Sequence, residues 1–417
     1  MKIYTYQAQP NARAGDQQIP PLAPGVSSAR FGKEVLLYSD EPQEQKPAVA
    51  TASRGARMPR RHEEVTRDRM HVVVQNGRLF QQHHPDVPVI HDRGRFLLVD
   101  LDQEQAHKLA HNNETCFGIF PLKENQVVFD SRAPVAQRAP VPFIQKLVDK
   151  VRRASIESNL TKLVSFATRH STSAGYIDAA NFARKQLKDM TYQTRLQVVS
   201  VGGGKSRNII ADKPGEGSGT RNVVIASAHL DSINLQGGPL APAPGADDNG
   251  SGSAGVLEIA RVFGEHRSKH DLRLILFGGE EQGLFGSKRY VASLTQTERK
   301  RIRAVVNMDM IGSLNSASRS VLLEGAPLSQ TVIDGLAQAA ATYTQLPVET
   351  SLNPFASDHV PFIDAQIPAV LTIEGADNAN NRIHSANDTF NKIDFEIAED
   401  ILRMNIGFIA SEIGSIS

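Results

Sequence analysis

Histidines and carboxylates recur at the ends of apolar, strand-like segments in the second half of this 417-residue chain. His229 follows the apolar run of residues 223–228, and Asp231 comes two positions later. The Asp231 carboxylate is close enough in sequence to hydrogen-bond the far nitrogen of the His229 imidazole. Such a carboxylate fixes the tautomer of a histidine and makes it a better metal ligand. We therefore interpret His229 as a candidate metal ligand.

Further acidic and imidazole groups follow where later strands are predicted to end. They are Asp248 in the glycine-rich stretch 245–252, the pair Glu280 and Glu281 in 278–283, Asp309 in 307–310, and His384 in 381–389. Taken singly, an acidic residue before a helix is commonly a cap or a solvated loop residue. Capping does not explain a series of such groups at consecutive strand ends, so the pattern predicts a metal site.

The donor types define which metal such a site prefers. The chain has one cysteine, Cys116, so neither an internal disulfide nor a cysteine-based zinc site is available. Two histidines with several carboxylates, and open positions for water, suit catalytic zinc. One carboxylate shared by two ions, with one histidine and one further carboxylate on each, gives two equivalent sites roughly 3.5–4 Å apart. Because successive extended residues point opposite ways, one of Glu280 and Glu281 can bind metal while the other faces the attacking water.

The elements that must position these groups alternate between strand and helix after residue 222. Strands are predicted at 223–228, 272–277, 304–307, 320–324 and 369–373, and helices at 251–263, 286–293, 329–343 and 396–413. This alternation predicts an α/β fold with a mainly parallel mixed sheet flanked by helices. Open sheets of this kind bind ligands at the carboxyl ends of their strands. The stretch 202–206 lacks the first glycine of a phosphate-binding loop and is interpreted as a turn between two paired strands.

The chain divides into four parts by composition and hydrophobic pattern. Residues 1–66 have no sustained period and are predicted to be poorly ordered. Residues 67–133 predict a small α+β domain, in which Cys116 is interpreted as a buried small residue of a strand. The proline-containing stretch 134–142 is a predicted linker, and residues 143–417 form the predicted catalytic domain.

The motifs in their order resemble those of the co-catalytic dizinc aminopeptidases of the M28 metallopeptidase family. They are Ala-His-Leu-Asp-Ser, Gly-Ala-Asp-Asp-Asn-Gly-Ser-Gly, Gly-Glu-Glu-Gln-Gly, Asn-Met-Asp-Met and Ile-His-Ser-Ala-Asn-Asp-Thr, within about residues 140–415. The resemblance implies two Zn²⁺ per chain, one on His229 and Asp309, the other on Glu281 and His384, with Asp248 bridging. It further implies Glu280 as general base, Asp231 as support for His229, and a peptide substrate with a free N-terminus that loses its first residue.

The resemblance carries three more expectations. The peptide bond between Asp248 and Asn249 is expected to be cis. The stretch 357–359 is expected near the substrate, without His359 as a zinc ligand. Independently of the resemblance, the apolar residues Phe355, Phe362, Ile373 and Ile383 indicate a preference for an apolar side chain. Residues 1–140 have no counterpart in the minimal catalytic domain, which leads to the hypothesis of a propeptide-like inhibitory cap.

Other function classes stay open at this point. A glutaminyl-cyclase-type acyltransferase has a similar fold but uses one zinc, a carboxypeptidase or dipeptidase could use the same metal core, and a binding module could keep the fold without the chemistry. The net charge of +1, from 46 basic and 45 acidic residues, indicates no nucleic acid or anionic membrane as partner. No apolar run has the length of a membrane span. Relatives are often exported, but the first ten residues have no apolar segment typical of a secretory signal.

Overall fold

The structure, a computed structural model, describes residues 2–7, 22, 24–39, 65–110, 117–132 and 135–416. Cys116, the basic stretch 54–61 and residues 133–134 of the predicted linker lie outside the described residues. The strands are β1 (Lys2–Gln7), β2 (Val26–Phe31), β3 (Glu34–Ser39), β4 (Met70–Gln75), β5 (Val89–Arg93), β6 (Phe96–Asp100), β7 (Phe117–Pro121), β8 (Gln126–Ser131), β9 (Gln193–Val201), β10 (Gly204–Lys213), β11 (Val223–His229), β12 (Asp271–Phe277), β13 (Ile302–Met308), β14 (Val321–Glu324), β15 (Val348–Ser351) and β16 (Ala369–Glu374).

The α-helices are α1 (Leu79–His83), α2 (Gln103–Ala110), α3 (Pro142–Val148), α4 (Arg153–Val164), α5 (Ala174–Asp189), α6 (Gly252–Phe263), α7 (Phe285–Ala292), α8 (Gln296–Arg301), α9 (Gln330–Tyr343), α10 (Val360–Asp364) and α11 (Phe395–Ile413). The chain forms two compact units. The first comprises Met1–Ala133 and Glu349–Phe355, and the second comprises Pro134–Val348 and Ala356–Ser417. Among the described residues, no helix combines the length and apolar character needed to cross a membrane.

The first unit contains an antiparallel four-stranded sheet in the order β5-β6-β4-β7. Side chains from this sheet, including Val73, Leu97 and Ile119, share one core with Phe80 of α1 and Ala106 of α2. Beside it, β1, β3, β2 and β8 pair in that order. Three of these strands lie within residues 1–66, so the structure differs there from the expectation of poor order. The reason is non-local pairing, since β2 obtains its partner β8 from about a hundred residues further along the chain.

A segment from late in the chain, Glu349–Phe355, belongs to the first unit. Residues of β15 pair antiparallel with β8, placing Glu349 opposite Ser131. The Ser351 hydroxyl and the Asn353 amide both donate to the carbonyl of Val128, at 3.0 and 2.6 Å. The ring of Phe355 packs on Gly118, where an added Cβ would lie 2.7 Å from the ring. The first unit therefore holds a stretch that ends two residues before Ser357.

The second unit has a seven-stranded run in the order β14-β16-β13-β11-β12-β10-β9. Strands β16, β13, β11 and β12 are mutually parallel, while β14, β10 and β9 pair antiparallel. This arrangement confirms the predicted mainly parallel mixed sheet. The glycine-rich stretch 202–203 is the predicted turn between β9 and β10, because Gly202 and Gly203 have φ of 49° and 84°, a conformation that favours glycine.

Helices cover both faces of the central strands. Along β11, Val224, Ala226 and Ala228 join one core cluster, which also contains residues of α4, α6, α9 and α11. The alternate residues Val223 and Ile225 join a second cluster with residues of α7 and α10. Burial on both faces explains why the strand is a continuous apolar run and not an alternating one. Because β16, β13, β11 and β12 are parallel, their carboxyl ends lie at the same edge of the sheet.

Candidate metal centre

The predicted site residues come from five different elements. His229 is the last residue of β11, Asp309 directly follows β13, and Glu280 and Glu281 lie in the turn after β12. Asp248 lies in the irregular turn that leads into α6, and His384 lies in the loop between β16 and α11. Because β11, β12 and β13 are parallel neighbours, their ends bring these side chains to the same edge.

Two sets of ligand atoms converge there, and they share one carboxylate. His229, Asp248 and Asp309 form the first set, and Asp248, Glu281 and His384 form the second, with the potential ligand atoms of each set within 4.8 Å of one another. In the first, His229 Nε2 lies 3.3 Å from Asp248 Oδ1 and 3.2 Å from Asp309 Oδ1. In the second, His384 Nε2 lies 3.1 Å from Asp248 Oδ2 and 3.0 Å from Glu281 Oε2. Asp248 thus offers one oxygen to each set.

These distances fit a metal with short bonds. Ligand atoms 2.0–2.1 Å from a tetrahedral zinc lie roughly 3.3 Å from each other, which is close to the separations above. Imidazole with carboxylate is a donor set that suits zinc better than magnesium or calcium. In addition, Glu281 Oε1 is buried without a hydrogen-bond partner in the protein, as expected of an oxygen that faces a cation.

Asp231 supports the site differently from the sequence prediction. Its backbone carbonyl lies 3.1 Å from His229 Nδ1, whereas its carboxylate Oδ1 is 3.7 Å from that nitrogen. The carboxylate instead accepts the backbone N–H groups of Glu280 at 3.3 Å and Glu281 at 3.2 Å. The backbone amides of this turn need a hydrogen-bond acceptor, whereas His229 Nδ1 already faces the Asp231 carbonyl. The buried carboxylate therefore bonds to the amides and not to the ring nitrogen. Asp231 thus orients His229 through its backbone and the Glu280–Glu281 turn through its side chain.

A line of buried hydrogen bonds fixes Asp309. Ser227 donates to Asn307 Oδ1 at 2.8 Å, Asn307 donates to the Ser357 hydroxyl at 2.9 Å, and that hydroxyl donates to Asp309 Oδ2 at 2.6 Å. One carboxylate oxygen is therefore occupied, and the other faces His229. Ser357 thus lies next to Asp309, as expected for the stretch 357–359. The role of Asn307 was not predicted, because this residue lies inside a strand motif and carries no charge.

Burial and mutual charge dominate the electrostatics. Burial raises the pKa of Glu281 to about 7, and the charge of Asp248 acts in the same direction. Burial alone would raise the pKa of Asp248, but hydrogen bonds from His229 and His384 outweigh it and lower that pKa. Burial alone would lower the pKa of His229, but the charges of Asp309 and Glu280 raise it well above its ordinary value. The excess of buried carboxylates over imidazoles therefore favours bound cations.

Two of the residues expected near an apolar specificity pocket are core residues of the second unit. Phe362 is fully buried and packs against Tyr290 and Phe277, with ring centroids 5.8 and 6.3 Å apart. Ile373 is buried inside β16, whereas Ile383 is buried next to the candidate ligand His384. Phe355 belongs to the first unit. His359 is fully buried, with Nε2 3.5 Å from Glu324, and belongs to neither ligand set. The peptide bond Asp248–Asn249 is cis, as the family resemblance implied.

Gly252, the first residue of α6, permits a close approach between two parts of the site. A Cβ added there would lie 2.3 Å from Asn249 Oδ1 and 2.7 Å from the backbone carbonyl of Met308. Since Met308 cannot move without displacing Asp309, Gly252→Ala is expected to destabilise the protein by about 1–3 kcal/mol through overpacking. Thermal unfolding measures this. Gly264→Ala, at the end of the same helix, is the control, because its Cβ would have no contact nearer than 3.5 Å. Equal unfolding temperatures for both variants would contradict the prediction.

A mainly parallel sheet with two converging imidazole–carboxylate sets at its carboxyl edge is the arrangement of a metal-dependent α/β hydrolase. The sequence model of Peptidase family M28 matches residues 208–409. This match confirms the family resemblance that the motifs predicted.

Individual proteins agree with that placement. A probable leucine aminopeptidase of Trichophyton verrucosum is 28% identical over 334 residues, which is 76% of this chain and 89% of that protein. BSAP, a zinc aminopeptidase from Bacillus subtilis, is similar in structure with a TM-score of 0.57 at 18% identity, covering 63% of this chain and 95% of that one. A Bacteroides thetaiotaomicron glutaminyl cyclase is also similar, with a TM-score of 0.54 at 18% identity, covering 63% of this chain and 98% of that one. The likeness of fold alone thus does not separate the two activities.

Proposed function

We propose that this chain is a dizinc aminopeptidase that hydrolyses the first residue from peptides with a free N-terminus. The observation that carries the proposal is the position of Asp248, whose two carboxylate oxygens face different histidines at 3.3 and 3.1 Å. A shared carboxylate of this kind is what a pair of metal ions requires. The family and the similarity to a probable leucine aminopeptidase support the same activity.

In this proposal each zinc ion has one histidine, one carboxylate of its own and the shared Asp248. His229 and Asp309 would hold the first ion, and Glu281 and His384 would hold the second. Bound zinc would polarise the scissile carbonyl and lower the pKa of a water molecule to near neutrality. The backbone carbonyl of Asp231 beside His229 Nδ1 keeps the proton on that nitrogen, so that Nε2 is left as the ligand atom.

Glu280 is the proposed general base. Its Oε2 lies 3.9 Å from His229 Nε2, and its carboxylate belongs to neither ligand set. It takes the proton of the attacking water and then gives it to the leaving amine. Asp231 acts as a positioning residue here, because its carboxylate binds the amides of Glu280 and Glu281 together and fixes which carboxylate faces the ions.

The free amine of the proposed substrate rests on the family match and on the similarity to a probable leucine aminopeptidase. A second candidate, a glutaminyl-cyclase-type acyltransferase, is kept because a solved cyclase has a similar fold. Its chemistry uses one zinc, so the number of metal ions separates the two functions.

The test combines metal content with product analysis on the full chain. We expect two zinc ions per chain and release of leucine from leucine p-nitroanilide, abolished by a chelator and restored by zinc. The N-acetylated substrate, which lacks the free amine, is the control and should not be cleaved. One zinc per chain with cyclisation of an N-terminal glutamine would indicate the cyclase, and shortening of peptides from the other end would indicate a carboxypeptidase.

Residues 1–140 are proposed to be a propeptide-like cap, and the pairing of β8 with the late segment 349–355 makes a specific prediction. A protease site inserted into the exposed stretch 135–141 should allow cleavage of the full chain there. We expect the two pieces to co-elute in native size exclusion, because the segment 349–355 stays paired with β8 through Ser351 and Asn353. The pieces should separate in denaturant, which is the control. Separation under native conditions would contradict the prediction, and a rise in leucine release after cleavage would support the inhibitory role.

A further inference from the structure

The turn that carries Asp248 is held by two buried charged residues outside the ligand sets, Arg169 and Asp388. Both are almost inaccessible, at 0% and 1% exposure. Asp388 follows His384 by four residues within the same motif, whereas nothing in the local sequence distinguishes Arg169, which lies between α4 and α5. The sequence analysis identified neither of them.

Arg169 satisfies one side of the turn. Its guanidinium donates to the backbone carbonyls of Pro244 and Gly245, and also to the carbonyl of Leu230 at 2.9 Å. Leu230 lies between His229 and Asp231, so this one side chain ties the turn of Asp248 to the segment of His229. A planar guanidinium can serve several carbonyls at fixed angles, which the single ammonium of a lysine cannot do.

Asp388 satisfies the other side. Its Oδ1 accepts the N–H of Asp247 at 3.0 Å, its Oδ2 accepts the N–H of Asp248 at 2.9 Å, and its own carbonyl accepts the N–H of Ala246 at 3.1 Å. Three successive amides of the turn therefore bond to one residue. Because Asp388 and His384 share a loop, this contact also connects two ligands of the second set.

The different contacts of Arg169 and Asp388 follow from the chemistry of the backbone. Buried carbonyls and amides need partners, and this irregular turn has no strand neighbour to provide them. A cation on the carbonyls and an anion on the amides supply charge-assisted hydrogen bonds, which are shorter and stronger than neutral ones. They also balance each other's charge inside the protein, so that removing one leaves the other uncompensated.

We propose that Arg169 and Asp388 are positioning residues that set where the two oxygens of Asp248 lie, and thereby the affinity of both zinc ions. This inference rests on the proposed metal centre. It assigns to them a role beyond stability, since the backbone that they hold ends at the proposed bridging ligand Asp248 itself. Neither residue is a catalytic residue, because both act through the backbone of the turn that carries Asp248.

The test measures the zinc affinity of the full chain by competition with a chromogenic chelator. The temperature is one at which circular dichroism shows each variant to be folded. Asp388→Asn keeps the shape but turns an amide donor towards a backbone N–H. We expect zinc affinity to fall about 10–100-fold, as for the loss of other residues that orient metal ligands. Arg169→Lys keeps the charge but loses the planar fork, and we expect a similar fall. An unchanged zinc affinity in Arg169→Lys would show that the charge of Arg169 alone matters and would overturn the positioning role.

Glu258→Gln is the matched control. Glu258 is a fully buried carboxylate in α6 that accepts the backbone N–H of Arg152 at 2.7 Å and pairs with Arg261. Its replacement should lower the unfolding temperature and leave zinc affinity unchanged. Wild-type zinc affinity in Asp388→Asn and Arg169→Lys would overturn the inference. Failure of the proposed function is distinguishable, because the unaltered chain would then bind fewer than two zinc ions.

Discussion

Glu280→Gln is expected to lower kcat by roughly 10²–10⁴-fold, the usual contribution of a general base, while both zinc ions stay bound. The amide has nearly the same shape, but it cannot take a proton from water. Glu280 belongs to neither ligand set, so its loss leaves the donor atoms intact. Steady-state hydrolysis of leucine p-nitroanilide and metal analysis of the same sample measure the two effects together.

The neighbouring Glu281→Gln variant is the control for this prediction. Glu281 Oε2 lies 3.0 Å from His384 Nε2 within the second set. Glutamine in that position should lower the zinc content, whereas glutamine at 280 should not. Turnover within a few fold of the unaltered enzyme in Glu280→Gln would assign the base to another group. Loss of zinc in that variant would make Glu280 a ligand.

Asp248→Asn is the second change with a large expected effect, because Asp248 is the residue that both sets share. An asparagine has one oxygen, and its amino group would face one of the two histidines and repel a cation there. We expect zinc content to fall from two ions to at most one. The loss of zinc affinity should exceed the roughly 10–100-fold loss caused by changing a residue that only orients a metal ligand. Equilibrium dialysis followed by metal analysis measures this.

Asp394→Asn makes the same chemical change at a position with a purely structural role. Asp394 caps α11, where its Oδ1 accepts the N–H groups of Glu396 and Ile397 at 2.9 and 3.2 Å. Because asparagine is nearly as good a cap as aspartate, stability should change little and zinc content should stay at two. Retention of both ions in Asp248→Asn would contradict the bridging assignment and would leave two independent sites.

Features that depend on local pattern could be predicted from the amino-acid sequence. Apolar runs bounded by polar turns located β11, β12, β13 and β16, since strand and helix periods are properties of neighbouring residues. Parallel strands end at the same edge, so the sequence positions of His229, Glu281 and Asp309 already implied that they meet. The family resemblance then supplied the pairing of individual ligands, and the converging sets agree with it.

Contacts between residues far apart in the chain could not be predicted from local pattern, because they form only in the folded protein. The amides around Asp248 are bound by Asp388, 140 residues away, and the carbonyls before it by Arg169. The Asp231 carboxylate turned to the amides of the Glu280–Glu281 turn and away from His229. Such partners are chosen by which buried donors and acceptors the fold brings together. No periodicity along the chain records that choice, and the same holds for the segment 349–355, which pairs with the first unit.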